Sequence, residues 1–273
     1  MPPPRLPAEL LDCIVDHLYD TRDTLKSCCL VSKSWIHRTR NHLFADVVFR
    51  TVGDLQAWKN AFPDPSTSPA HYTTTLSMQC PWVVTAADAE ERGWIPAFSH
   101  VVHFHMNFGL PETSLLPFHG FSPALKSLRV EYGSFPFSRI INLIHSFPLL
   151  EDLSLFTWGG NPIEDIDEQP GVVQPPLTGT LQLNTQDRMS HTVSQLFPAQ
   201  NGLYFRKLDL RLSREEDIFE IAALVKRCRL TLESLCVCAG YCGTSVRPLC
   251  SNRWLILQMR NHWVRLTSRK RLD

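Results

Sequence analysis

Three histidines and four cysteines are the residues best suited to chemistry. His100, His103 and His105 run as H-x-x-H-x-H, and on a strand His103 and His105 share one face, where two imidazoles can meet a metal. Catalytic zinc needs a third protein ligand and outer partners that orient it, yet His100 lies an odd number of residues away and faces elsewhere. Cys228, Cys236, Cys238 and Cys242 run as C-x7-C-x-C-x3-C and lack the paired C-x2-C knuckles of a structural zinc site. In Gly240-Tyr241-Cys242-Gly243 the sequence places no base beside the thiol. No nucleophile elbow, phosphate-binding loop, dinucleotide fingerprint, H-E-x-x-H or kinase signature occurs. The expectation is a chain with no catalytic residue, no metal ligand and no cofactor. A metal-dependent hydrolase built on His103 or Cys238 is kept as the alternative.

Composition narrows the partners. The 273 residues carry 27 basic and 27 acidic side chains, so no net field draws in nucleic acid or an anionic membrane. Apolar residues make up 44%, enough for a packed core, and no apolar run approaches the ~20 residues of a membrane-spanning helix. The start, Met-Pro-Pro-Pro-Arg, lacks the build of a secretory signal. Nine scattered cysteines, an odd number, suit reduced thiols better than a disulfide framework. Together these point to a cytoplasmic and/or nuclear protein that touches neither nucleic acid nor membrane.

The elements that would position such residues change character near residue 45. Pro7 suits a first helical position and Glu9 the positive end of the helix dipole. Leu10, Ile14 and Leu18 recur every four residues, flanked by Leu11 and Val15. A polar break at 20–24 precedes a short apolar segment from Leu25 to Val31, and Ser32 can cap a third helix carrying Trp35 and Ile36. Three short helices with that much apolar face would be marginal alone and should dock on something.

Leu6-Pro7-x-Glu9-Leu10-Leu11-x-x-Ile14-x-x-x-Leu18, then Leu25, then Leu30-Val31-Ser32-Lys33-Ser34-Trp35 resembles the F-box. The segment from Cys29 to Trp35 is similar to the form common in fungal F-box families. The resemblance implies a three-helix module over residues 1–45 that binds the Skp adaptor of a cullin-based ubiquitin ligase. It also implies that Leu6, Pro7, Leu10, Ile14, Leu25, Leu30, Val31 and Trp35 form the adaptor-facing and core positions.

From Phe44 onward, apolar residues follow n, n+3, n+5, as in Leu125-x-x-Leu128-x-Val130, Leu150-x-x-Leu153-x-Leu155, Phe205-x-x-Leu208-x-Leu210 and Leu232-x-x-Leu235-x-Val237. Weaker copies are Leu76-x-Met78, Val102-x-Phe104 and Leu181-x-Leu183. The final positions fall at 49, 78, 104, 130, 155, 183, 210 and 237, spaced by 29, 26, 26, 25, 28, 27 and 27. Helical stretches intervene at 54–62, 138–147, 191–197 and 215–228. This is the signature of leucine-rich repeats, each a strand plus a helix or turn. The expected fold is α/β: an N-terminal three-helix F-box, then over residues 46–245 a leucine-rich-repeat-like β/α solenoid with a curved parallel sheet. A doubly wound α/β domain is the competing architecture, disfavoured by the even spacing.

Side chains between the apolar positions point to the concave face, the usual binding surface of a solenoid. Candidate target contacts there are His103, His105, Arg129, Glu131, Asp152, Phe156, Lys207, Asp209 and Arg211. The row is polar, mixed in charge and poor in aromatics, which suits a protein partner better than single-stranded nucleic acid. Proline-rich 63–69 and acidic 159–178 are expected as surface loops. The tail at 246–273 has a net charge of +6 and places Met259, Trp263 and Leu266 at helical spacing, as a basic amphipathic segment, a solenoid cap or an incorrectly predicted gene end. The function expected is a non-catalytic substrate receptor holding an unknown target protein near the cullin scaffold. An adaptor-binding or scaffold protein without ligase activity is the alternative.

Overall fold

The computed structural model describes residues 7–79, 94–108, 115, 118–133, 137–157, 177–184, 189–197, 203–212, 217–239, 254–260 and 263–269. It opens with three helices, α1 (Ala8–Asp16), α2 (Arg22–Val31) and α3 (Lys33–Leu43). Pro7 stands at the N-cap, one residue before the expected position, and its carbonyl accepts from the N–H groups of Leu10 and Leu11. Ser32 caps α3 by accepting from the Ser34 N–H. One carboxylate ties the first helix to the third: Asp16 accepts from Arg38 Nε at 2.6 Å, Arg38 Nη2 at 2.5 Å and His42 Nε2 at 2.7 Å. The Arg38 bond, then that of His42, holds the Asp16 carboxyl far below the ordinary carboxylate range. Val15, Leu25, Cys28 and Thr39 fill the small interior, with the Thr39 hydroxyl donating to the Trp35 carbonyl.

Eight strands follow, β1 (Asp46–Phe49), β2 (Thr75–Met78), β3 (His103–Phe108), β4 (Ser127–Tyr132), β5 (Asp152–Thr157), β6 (Thr180–Asn184), β7 (Lys207–Leu212) and β8 (Ser234–Ala239). All are parallel, and each lies beside its sequence neighbour. A doubly wound sheet reverses strand order at a switch point; this order runs straight through. Helices α4 (Val52–Ala61), α5 (Phe137–His145), α6 (Met189–Leu196) and α7 (Asp217–Cys228) occupy crossovers after β1, β4, β6 and β7. The chain is thus α/β with a parallel sheet.

One carbonyl before each of six strands fixes the step from repeat to repeat. Ala45, Thr74, Val102, Lys126, Gly179 and Arg206 each accept two consecutive N–H groups from the next turn of chain. The resulting register aligns Val47, Leu76, Phe104, Leu128, Leu153, Leu181, Leu208 and Leu235 in one row. Phe49, Met78, Met106, Val130, Leu155, Leu183, Leu210 and Val237 form the next. Both rows belong to the core with Leu55, Ile140, Leu143, Leu196 and Leu224 of the crossover helices, except that Val237 at the end of the second row is only partly buried against it. The third repeat corrects the expected spacing, since the residue equivalent to Met78 and Val130 is Met106, two places beyond Phe104. A slip of two keeps every side chain on its face, so alternation alone could not detect it.

The tail also departs from expectation. Residues 254–260 and 263–269 are strands, β9 (Trp254–Arg260) and β10 (Trp263–Arg269), and no helix forms there; β9 pairs antiparallel with β8, and β10 with β9. The proline-rich loop ends in a short 3-10 turn, Pro69–Tyr72, with Ser68 and Pro69 buried. Most of the acidic loop at 159–178 lies outside the described residues. Among the described residues no helix is long and apolar enough to cross a membrane.

Candidate functional site

Opposite the core rows, two rows of side chains cover the open face of the sheet. The first is Val48, Ser77, His105, Arg129, Ser154, Gln182, Asp209 and Cys236; the second includes Asn107, Glu131, Phe156, Asn184, Arg211 and Cys238. Parallel pairing sets equivalent positions one strand apart, so short polar side chains can bond across the repeats.

Glu131 is the centre of that network and is buried despite its charge. Its Oε1 accepts from Arg129 Nε at 2.9 Å, Arg129 Nη2 at 2.6 Å and His105 Nε2 at 3.1 Å, and its Oε2 from Asn107 Nδ2 at 3.4 Å. A carboxylate only accepts, which puts the ring proton of His105 on Nε2 and leaves Nδ1 to accept from the Ser77 hydroxyl at 3.3 Å. Ser77 in turn accepts from Gln79. Burial lowers the His105 pKa, outweighing the opposing pull of Glu131, which favours the neutral imidazole. On the far side, the Arg129 guanidinium lies 4.3 Å from the centre of the Phe156 ring, a cation–π contact. A second chain runs from Ser154 to Gln182 at 3.3 Å, from Gln182 to Asp209 at 3.1 Å, and from the Cys236 thiol to Asp209, whose carboxyl is raised by burial.

Of the nine expected target contacts, the fold therefore joins His105, Arg129, Glu131 and Phe156 in one cluster. His103, Lys207 and Arg211 are exposed on the same face without joining it. Asp209 sits in the second chain. Asp152 is committed to the next turn of the chain: its carboxylate accepts the Thr180 N–H, and it packs so closely on Gly179 that a Cβ there would collide with it. Asn107 was not among the expected contacts because the slipped third repeat ended at Phe104. Continuing the alternation from His103 through Phe108 exposes it.

Ser77, His105 and Glu131 superficially resemble a nucleophile, base and acid in line. Ser77 is buried in a strand paired on both sides, so its neighbouring backbone N–H groups are engaged in the ladder and none is free to stabilise an oxyanion. His100 turns away from His103 and His105 and pairs through Nδ1 with the His71 carbonyl. Cys228 lies in the core on α7, across the sheet from Cys236 and Cys238, so these thiols do not share a site. Burial pushes the Cys228 thiol up to about 11. Among the described residues no three histidine, cysteine or acidic side chains are grouped to hold a metal, and Cys242 lies outside them.

The N-terminal helices form the second surface. Leu25 is fully buried, whereas Leu10 is 50%, Ile14 45%, Leu30 90% and Val31 69% exposed. Pro7 is exposed, Trp35 half-buried, and Leu6 lies outside the described residues. The inner face of α1 is carried by Val15, leaving Leu10 and Ile14, one turn apart, pointing to solvent.

Compared with protein-family models, curated proteins and solved structures, the chain finds no significant match.

Proposed function

We propose that the chain is the substrate-recognition subunit of a cullin-based (SCF-type) ubiquitin ligase. The observation that carries this reading is the apolar surface on α1 and at the end of α2. Leu10 and Ile14 are exposed on α1, which the Asp16 and Arg38 pair fixes to α3, and Leu30 and Val31 are exposed at the end of α2, whose Cys29 thiol lies 3.0 Å from the Thr39 hydroxyl of α3. Exposed apolar side chains gathered into one patch mark an interaction site, where scattered single ones do not. In this reading α1, α2 and α3 are the F-box and dock on the Skp adaptor through Leu10, Ile14, Leu30 and Val31, flanked by Leu6, Pro7 and Trp35, with Leu25 as core.

The parallel strands in chain order fit a leucine-rich-repeat-like solenoid, whose open face would be the concave target-binding surface. Arg129 and Phe156, backed by Glu131, are its preorganised centre, with Lys207 and Arg211 available to a partner. Function then arises from tethering: a bound target is held at high effective concentration near the conjugating enzyme, and no residue of this chain need react.

Reconstitution with the Skp adaptor and a cullin tests the reading. A ternary complex on size exclusion supports the receptor. A complex with the adaptor that excludes cullin supports an adaptor-binding protein without ligase activity, and failure to bind the adaptor rejects both.

A further inference from the structure

On the open face the Arg129 guanidinium is held along one edge and over one ring. Its Nε and Nη2 both donate to Glu131 Oε1, at 2.9 and 2.6 Å, and its central carbon lies 4.3 Å from the centre of the Phe156 ring. Among the described residues Nη1 bonds to none, and the Arg129 side chain stays 46% exposed where that of Glu131 is 11% exposed. An approaching molecule therefore meets a flat guanidinium seated on an aromatic ring, its countercharge already supplied by a buried carboxylate.

Charge decides what that group accepts. A carboxylate from outside would bring a second negative charge to a guanidinium that already faces Glu131, and an ammonium would meet Arg129 itself. His105, which shares Glu131, favours its neutral form through burial. On the strands either side, β3 and β5, the open-face positions are His103, His105, Asn107, Asp152, Ser154 and Phe156, with no lysine or arginine among them. The Asp152 carboxylate is turned to the Thr180 N–H. The next cations, Lys207 and Arg211, stand three strands away on β7, about 14 Å at ordinary strand spacing. A neutral group with a negative face fits this place. An aromatic ring is such a group: its quadrupole attracts a guanidinium and its plane stacks on one. A nucleic-acid base also stacks, but every nucleotide brings a phosphate, and β3 and β5 offer it no cation.

We propose that the open face recognises its target protein by an aromatic side chain stacked on Arg129, with the guanidinium lying between that ring and Phe156. The proposal rests on the reading of the open face as the target-binding surface. Phe156 and Glu131 fix the guanidinium before the target arrives, so little side-chain freedom is lost on contact. Lysine at this position would keep the charge and lose the plane.

The test pans a phage library of random dodecapeptides on the full chain, with counter-selection on Arg129→Lys. Clones retained by wild type alone are expected to share an aromatic residue. Replacing it by leucine in the synthetic peptide should weaken binding by at least about fivefold, the cation–π share that an apolar side chain does not supply. In the wild-type complex the bound ring should also move the Arg129 Nε–H resonance, which the leucine peptide leaves in place. That signature uses unaltered protein and decides even if Arg129→Lys fails to fold. Clones that depend on Arg129 through an aspartate or glutamate, equal affinity for aromatic and leucine peptides, or no clone that tells the two proteins apart would overturn the proposal. Tighter binding of oligothymidine than of any selected peptide would overturn the protein assignment in favour of single-stranded nucleic acid. Adaptor binding is scored on the same preparation: its absence with the aromatic preference intact rejects the ligase reading alone, and the reverse rejects this site alone.

Discussion

Arg129 and Glu131, two residues apart on β4 and therefore on the same face, are joined by two hydrogen bonds of 2.9 and 2.6 Å to a single carboxylate oxygen. That contact, braced by His105 on β3 and by Phe156 on β5, makes the open face of the sheet an ordered surface at its middle. An interaction surface preassembled in this way loses little side-chain freedom when a partner arrives.

Replacing Glu131 by Ala should leave Arg129, His105 and Asn107 without their shared acceptor. Arg129 is nearly half exposed and recovers water, so the expected loss is about 1–3 kcal/mol, below that of a fully buried pair. Urea unfolding measures it, and Glu131→Gln, which still accepts through its amide oxygen, should lose less. Equal stability of all three proteins would remove Glu131 from the centre of the network.

The half-buried His105 makes stability depend on pH. Burial lowers its folded pKa, so in weak acid the unfolded chain binds the extra proton more readily. Its contribution is therefore complete above the ordinary histidine range near 6.5 and declines as pH falls below it. Asp16 acts lower on the scale: its folded pKa is depressed, so its contribution is present above about pH 4 and lost as the solution becomes more acidic. Thermal melts at pH 7.5, 5.5 and 3.5 should show wild type losing more stability than His105→Gln over the first step, and more than Asp16→Asn over the second. Parallel curves would contradict both assignments.

Gly179→Ala should destabilise by about 1–3 kcal/mol, the usual cost of forcing a methyl group into filled space. A Cβ there meets the Asp152 carboxylate, which is held by the Thr180 N–H, and lies 3.2 Å from the Glu151 carbonyl oxygen. Asp152→Ser on the alanine background opens that space and should recover part of the loss in the same urea experiment. If Asp152 instead serves mainly a partner, Gly179→Ala will be neutral.

Much of the sheet was legible because its signal is simple. Buried residues at n+3 and n+5, after a buried Leu125, Leu150 or Phe205, and the half-buried Val237 after Leu232 and Leu235, mark strands that must bury one face, and the even spacing gave their order. The third repeat was read two residues early because Val102 and Phe104 are as apolar as Phe104 and Met106, and only the ladder distinguishes them. The tail misled for a related reason: Met259, Trp263 and Leu266 satisfy a helical period, but pairing with β8 decides for strands. The open-face network was legible as a set of outward residues and not as bonds. Its cross-strand partners lie 24 to 28 residues apart, as in Asn107 with Glu131 and Ser154 with Gln182, and spacing along the chain does not reveal which side chains reach one another. On the helices, the Leu10 and Ile14 stripe was plain, but whether it faced the interior or solvent depended on the Asp16 clamp, which joins residues 22 and 26 apart.

The central claim is that the exposed helical face receives the Skp adaptor. Co-expression of the full chain with that adaptor, followed by purification through the adaptor alone, tests it with wild type, Leu10→Asp/Ile14→Asp and Leu30→Asp. All three residues substituted, Leu10, Ile14 and Leu30, are exposed, so circular dichroism should be unchanged across the set. The account predicts a one-to-one wild-type complex that both variants lose. Wild-type protein that stays folded and unbound, or variants that bind as well as wild type, would contradict it.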